Sequence, residues 1–202
     1  MGRKRGKKKT KPIVGIYCEG KSEEQYFKML SQKYGAGNIR TGQLHSKLKT
    51  KIKSLDESGE KLITAAKRKG EDDKVDKIYV VFDRDDKTSK DIQHCKKIAD
   101  RDDITILFSS IDFEIWILMH FEQVTRLYTR KQLTNKLSTK KYFNQDYEKF
   151  KGSSYRPYLF DRIQIAEGNA LRLEKINNDM ENDDPFTNIH KYLREIFNVS
   201  IL

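Results

Sequence analysis

Two hydrophobic patterns alternate along the first 121 residues: short solid apolar runs, and longer stretches with apolar positions three or four apart. The run Ile13 to Cys18, closed off by Pro12 and Gly20, predicts a buried strand. From Ser22 onward, Tyr26, Phe27, Met29 and Leu30 fall on one side of a predicted helix. Ser22 with Gln25 three residues later has the form of a capping box. Residues 35–38 break that helix, and residues 38–44 read as a second strand. Residues 46–69 are polar and Lys-rich, with Leu48, Ile52, Leu55, Leu62 and Ile63 at mixed helical spacing. One or two helices are predicted there, interrupted at Asp56-Glu57-Ser58-Gly59.

Residues 76–82 are dense in β-formers and predict a strand. A helix over residues 89–100 follows, with Ile92, Cys95 and Ala99 on one side, then a short strand over 104–108. Residues 113–121 are apolar nearly all round, the pattern of a helix buried against a sheet. Strands alternating with helices at this spacing imply an α/β fold with a mostly parallel sheet. The composition changes after residue 123. No further clear strand is predicted, and helices are expected over residues 130–137, 156–180 and 185–197, with Asp184-Pro185 as N-cap and first helical residue of the last. The expected organisation is a basic tail over residues 1–11, an α/β domain over 12–123, and a helical extension over 124–202 packed on that core.

The net charge of +11 is unevenly placed. Residues 1–11 hold seven Lys and Arg and no acid, which leaves +4 for the remainder. A block of like charge this dense is expected to be disordered when free. It suits either of two roles, a salt-sensitive grip on phosphates or a solubilising tail. No apolar stretch approaches the roughly eighteen residues of a spanning helix, and the basic N-terminus lacks the apolar core of a signal peptide. The expectation is a soluble, cytoplasmic chain without membrane contact. Two cysteines, Cys18 and Cys95, with no Cys-x-x-Cys, argue against zinc. Cys18 reads as a small core residue.

Candidate chemistry lies at two strand ends. Glu19-Gly20 closes the first strand, and Asp83-Arg84-Asp85 closes the strand over 76–82. Acids at the carboxyl edge of a parallel sheet stand where α/β folds build sites. Three such carboxylates suit a hard cation such as Mg²⁺, with Mn²⁺ as a substitute. In phosphodiester chemistry the cation offsets charge on the phosphate while a side chain manages protons. Asp83 and Asp85 are therefore candidate metal ligands, and Glu19 a third ligand or the general acid/base. Gly20 permits close backbone approach, and Lys21 and Arg84 add positive charge. Each motif alone also fits a polar strand-to-helix connection; their order along the chain favours the joint reading.

That order resembles the Toprim domain, in which a Glu after the first strand and a DxD after a later one hold Mg²⁺. A longer resemblance, covering nearly the whole chain, is to the RloB family, including the abortive-infection protein AbiLii. The segments that carry it are Tyr17-Cys18-Glu19-Gly20-Lys21-Ser22-Glu23 with Tyr26-Phe27, then Val81-Phe82-Asp83-Arg84-Asp85, then residues 113–121, and the region from Asn169-Ala170 to Thr187-Asn188-Ile189-His190-Lys191. The resemblance implies a Toprim-like fold, a Mg²⁺-dependent nuclease-like role on DNA or RNA (tRNA among the candidates) in phage defence, and an ABC-type ATPase partner. One stretch departs from the pattern: relatives commonly carry Ser-Asn-Pro before Phe113-Glu114, where this chain has Ser109-Ser110-Ile111-Asp112.

Further residues carry two readings each. Glu114, an acid in an apolar helix, needs a partner, either structural or in the site. Asp112 suits the N-cap of that helix or an extra acid near the metal. His190 suits a phosphate contact or proton carrier, or a helix-surface position, while Trp116 and His120 read as packing residues. The rings from Tyr142-Phe143 to Tyr155-Arg156-Pro157-Tyr158 suit single-strand binding or packing of the helical part. Two competing roles remain on the sequence alone: a non-catalytic nucleic-acid-binding or regulatory subunit, and a phosphoryl-transfer enzyme for a small substrate.

Overall fold

Strand β1 (Ile13–Cys18) points Val14, Ile16 and Cys18 to one side of a sheet and Tyr17 to the other. Strand β3 (Lys77–Asp83) does the same, with Tyr79 and Val81 opposed to Val80 and Phe82. Side chains alternate along a strand, so unbroken apolar runs require cover on both faces. The computed structural model describes residues 12–35 and 49–202. On one face lie α1 (Lys21–Gly35) and α4 (Glu114–Met119); on the other lie α2 (Gly59–Asp73) and α3 (Ser89–Arg101). With β2 (Lys49–Ser54), β4 (Ile104–Ser110) and β5 (Phe186–Thr187), the sheet runs β2-β1-β3-β4-β5. All pairings are parallel except the last.

This order positions the site. From β1 the chain moves through α1 to β2 on one flank, while from β3 it moves through α3 to β4 on the other. The winding direction therefore reverses between the adjacent strands β1 and β3. Helices leaving neighbouring strands toward opposite faces open a crevice at the strands' carboxyl ends.

After α4 come α5 (Arg130–Ser138), α6 (Tyr147–Phe150), α7 (Arg156–Leu159), α8 (Ile163–Glu174) and α9 (Ile189–Phe197). Their apolar faces join the cluster on the α1 side, which runs without interruption from Val14 to Leu202. The rings of Phe143, Tyr147, Phe150, Tyr155 and Tyr158 pack edge-on or tilted against one another, which is the packing reading of that aromatic span. Trp116 and His120 are fully buried. Trp116 O accepts from His120 Nδ1 at 3.0 Å, so Nε2 accepts from the Tyr26 hydroxyl at 3.1 Å. Burial pushes the imidazole pKa down to about 3 and keeps the ring neutral. Among the described residues, no helix is long and apolar enough to cross a membrane.

Four local expectations are corrected. Residues 49–54 form a strand where helix was expected: Lys49, Lys51 and Lys53 point outward and Ile52 packs on the core. Lysines along an outer strand satisfy the two-residue period without adding an apolar run. Helix α1 starts at Lys21, and its reciprocal acceptor is Glu23, whose Oε2 takes the Gly20 N–H at 3.1 Å, in place of the Ser22/Gln25 box. The helix expected over 156–180 is two helices separated at residues 160–162. Asp184-Pro185 precedes a strand instead of opening a helix, because Phe186–Thr187 pair antiparallel with Ser109–Ser110 and α9 begins only at Ile189. The strand expected at 38–44 and the basic run at 1–11 lie outside the described residues.

Asn188 prolongs the β5 pairing with its own side chain. Its Oδ1 accepts the Phe108 N–H at 2.7 Å, its Nδ2 donates to Ile106 O at 3.0 Å, and its backbone N–H donates to Phe108 O at 3.2 Å. Asn188→Ala leaves a buried amide and a buried carbonyl of β4 without partners, each worth about 1–3 kcal/mol. The expected loss is roughly 2–4 kcal/mol of unfolding free energy, read from chemical denaturation. Asn188→Asp keeps the acceptor for Phe108 N–H and should retain part of the stability, but loses the donor to Ile106.

Candidate metal centre

Glu19 is the first residue past β1, and its backbone N–H donates to Val81 O at 2.9 Å, locking it to the neighbouring β3. Its carboxylate is turned by Ser58, whose hydroxyl donates to Oε2 at 2.8 Å from the start of α2. Asp83 ends β3 beside it. Asp83 Oδ2 receives a long contact from the Phe113 N–H at 3.4 Å, whereas Oδ1 is buried with no hydrogen-bond partner among the described residues. Asp85 follows in a left-handed turn, φ +47°, a conformation Asp tolerates, and its N–H donates to Ile111 O at 3.3 Å. One oxygen each from Glu19, Asp83 and Asp85 lies within 4.8 Å of the others.

The pocket around them is more acidic than those three residues. Glu23, Asp112 and Glu114 also line it, and Lys21, Arg130 and Lys151 supply its positive charge. Six carboxylates thus face three basic side chains. Burial, followed by the charges of Glu19, Glu23, Asp112 and Glu114, holds the Asp83 pKa well above the carboxylate range. Burial also pushes Glu23 up to about 7, against the opposing pull of its backbone hydrogen bonds. Glu114 is raised by burial and partly relieved by Lys151 and the Tyr147 hydroxyl, 3.4 Å from Oε1.

The donor set fits a hard divalent cation. It is all carboxylate oxygen, with no sulfur or imidazole in the pocket among the described residues, which suits Mg²⁺ or Mn²⁺ rather than zinc. Asp83 Oδ1 also fits such an ion: it is a buried acceptor among acids, with no donor among the described residues.

Of the residues singled out from sequence, Glu19, Gly20, Lys21, Asp83, Asp85 and Glu114 converge on this pocket. Arg84 and His190 do not. Arg84 turns to the far side of the strand end, where Nε donates to Ser110 Oγ at 2.8 Å and Nη2 donates to the carbonyls of Met180 and Glu181. It pins the 176–185 loop to the sheet. His190 is buried in the first turn of α9, its Nε2 3.0 Å from Glu174 Oε2, and burial lowers its pKa. Gly20 N–H is taken by Glu23 and is not free for a phosphate. Asp112 does not cap α4; its carboxylate is gripped by Arg130.

Arg130, Lys151, Glu23 and Ser58 are pocket or supporting residues that the sequence reading did not assign. Glu23 had a visible signal, three residues after Gly20 at a helix start. Arg130 and Lys151 had none, since nothing in their local pattern separates them from other exposed basic residues. No curated protein and no solved structure gives a significant match to the chain. The family comparison does: over residues 14–196, most of its length, the chain matches and belongs to the RloB-like protein family.

Proposed function

We propose that the chain is a Mg²⁺-dependent, Toprim-like nuclease that cleaves DNA or RNA in anti-phage defence, with Mn²⁺ able to substitute. The observation that carries the reading is that Asp83, which shares a three-oxygen set with Glu19 and Asp85, has a buried Oδ1 with no hydrogen-bond partner among the described residues. Those three residues would hold the cation, which when bound supplies positive charge for the phosphate and for the oxygen that attacks or leaves. In its alternative role Glu19, braced by Ser58, would leave ligation to Asp83 and Asp85 and take or give the proton at its carboxylate. Lys21 and Lys151 at the rim draw in a polyanion. The role in defence and the partnership with an ABC-type ATPase rest on the family resemblance.

Asp83→Asn tests the reading with two readouts. Cleavage of plasmid, single-stranded DNA and a tRNA pool in Mg²⁺ or Mn²⁺ should fall below detection. The rise in melting temperature on adding Mg²⁺ to the wild type should disappear in the variant. Cation binding with no cleavage of any substrate would instead favour a binding subunit or an enzyme gated by its ATPase.

Raised carboxylate pKa values also set the pH dependence of the metal-free protein. The unfolded chain releases these protons near the ordinary value of about 4, while the folded chain keeps that of Glu23 to about 7 and that of Asp83 well above its ordinary value. The fold therefore binds more protons than the unfolded chain, and stability falls as pH rises from about 4 through 7. In EDTA, the melting temperature should drop across that window. Asp83→Asn should flatten the drop and melt higher than wild type at pH 8, by about 2–4 °C per kcal/mol of repulsion relieved.

A further inference from the structure

Arg130 reaches the acidic pocket from the first turn of α5, opposite the sheet edge that carries the acids. Its guanidinium forks onto Asp112, with Nε 3.1 and 3.0 Å from the two carboxylate oxygens and Nη2 2.8 Å from Oδ1. The same Nη2 also pairs with Asp85 Oδ1, a member of the three-acid set. One side chain thus ties a metal-site carboxylate to a neighbour outside that set.

The two halves of this bridge differ. Asp112 is 2% exposed, and among the described residues Arg130 is the only cation paired with it. Parting that pair would strand a buried charge. The Asp85 side chain is 31% exposed and is held by a single nitrogen, so it is the contact that can open. Arg130 itself is 60% exposed at the pocket mouth, and its Nη1 makes no hydrogen bond among the described residues. Once Asp85 is otherwise neutralised, Nη1 and the second Nη2 proton form a donor pair anchored by Asp112 and flanked by Lys21 and Lys151. A planar donor pair of that kind matches two oxygens of a phosphate.

We propose that Arg130 is an exchangeable counter-ion: it neutralises Asp85 while the site lacks a divalent cation, and turns to a substrate phosphate when a cation takes Asp85. The proposal rests on the metal reading above and adds to it an order of binding. Cation and nucleic acid then bind with positive coupling carried by Arg130, and the coupling is the same from either side.

The experiment compares wild type, Arg130→Gln and Arg130→Lys, with folding checked by circular dichroism melts. Mn²⁺ alone is titrated calorimetrically. Labelled single-stranded DNA, duplex DNA and RNA are then bound in EDTA and in Ca²⁺. Arg130→Gln should bind Mn²⁺ about three- to tenfold more tightly, because no guanidinium competes for Asp85. Its gain in nucleic-acid affinity on adding Ca²⁺ should shrink about tenfold relative to wild type. Arg130→Lys keeps a cation for Asp112 but lacks the fork, so it should fold and still lose most of that gain. If Arg130→Gln does not fold, the loss of gain in Arg130→Lys decides. Unchanged Mn²⁺ affinity in Arg130→Gln, or an undiminished gain in the folded variants, would make Arg130 a strut for Asp112 and overturn the exchange alone. A wild type that takes up no Mn²⁺ overturns the metal reading and the exchange with it.

Discussion

Like charges in a half-closed space repel, and six carboxylates share one pocket at the carboxyl ends of β1 and β3. Five of the six are held there by different devices. Ser58 engages Glu19, Gly20 N–H engages Glu23, the left-handed turn orients Asp85, Arg130 grips Asp112, and Tyr147 reaches Glu114. Among the described residues, Asp83 has only a long amide contact, and its other oxygen has no partner. The sheet makes this crowding sustainable because both its faces are sealed by helices, and the two apolar clusters oppose the local repulsion at the edge. The reversal of winding between β1 and β3 also keeps helices from covering the strand ends, so the acids face an open crevice.

The core of this arrangement was legible because it depends on short-range pattern. Solid apolar runs ending in Glu19 and in Asp83-Arg84-Asp85 identify strands buried on both faces, and an acid just past such a strand must lie at the sheet's edge. What was not legible depends on partners distant in sequence. Strand β2 offers one packed side chain, Ile52, among outward lysines, so its pattern carries little hydrophobic signal. Strand β5 is two residues long and exists because β4 has an edge to pair with.

Arg84 and His190 show the same limit in the site. Arg84 stands between two ligand candidates, but a strand end turns successive side chains to opposite sides. Asp83 and Asp85 face the crevice while Arg84 faces the 176–185 loop. His190 belongs to a segment whose neighbour Asn188 completes the hydrogen bonding of β4, so part of the motif is explained by backbone satisfaction. Polar residues recurring in a motif can serve the fold as well as the chemistry.

Two of the three basic side chains of the pocket come from elsewhere in the chain than its acids. The acids stand at or near the ends of β1, β3 and β4 or at the helix starts that follow them, whereas Arg130 and Lys151 come from the helical segment after residue 123. A site built from the sheet alone would hold a cation and repel a polyanion. With the helical segment packed against the same hydrophobic cluster, the acidic floor gains a basic wall, and the pocket acquires both charges that binding a metal and a phosphate together requires. The continuous apolar cluster from Val14 to Leu202 thus bears on the pocket as well as on stability: loosening α5 from it would remove Arg130 from Asp85 and Asp112 while leaving the three candidate metal-ligand acids in place.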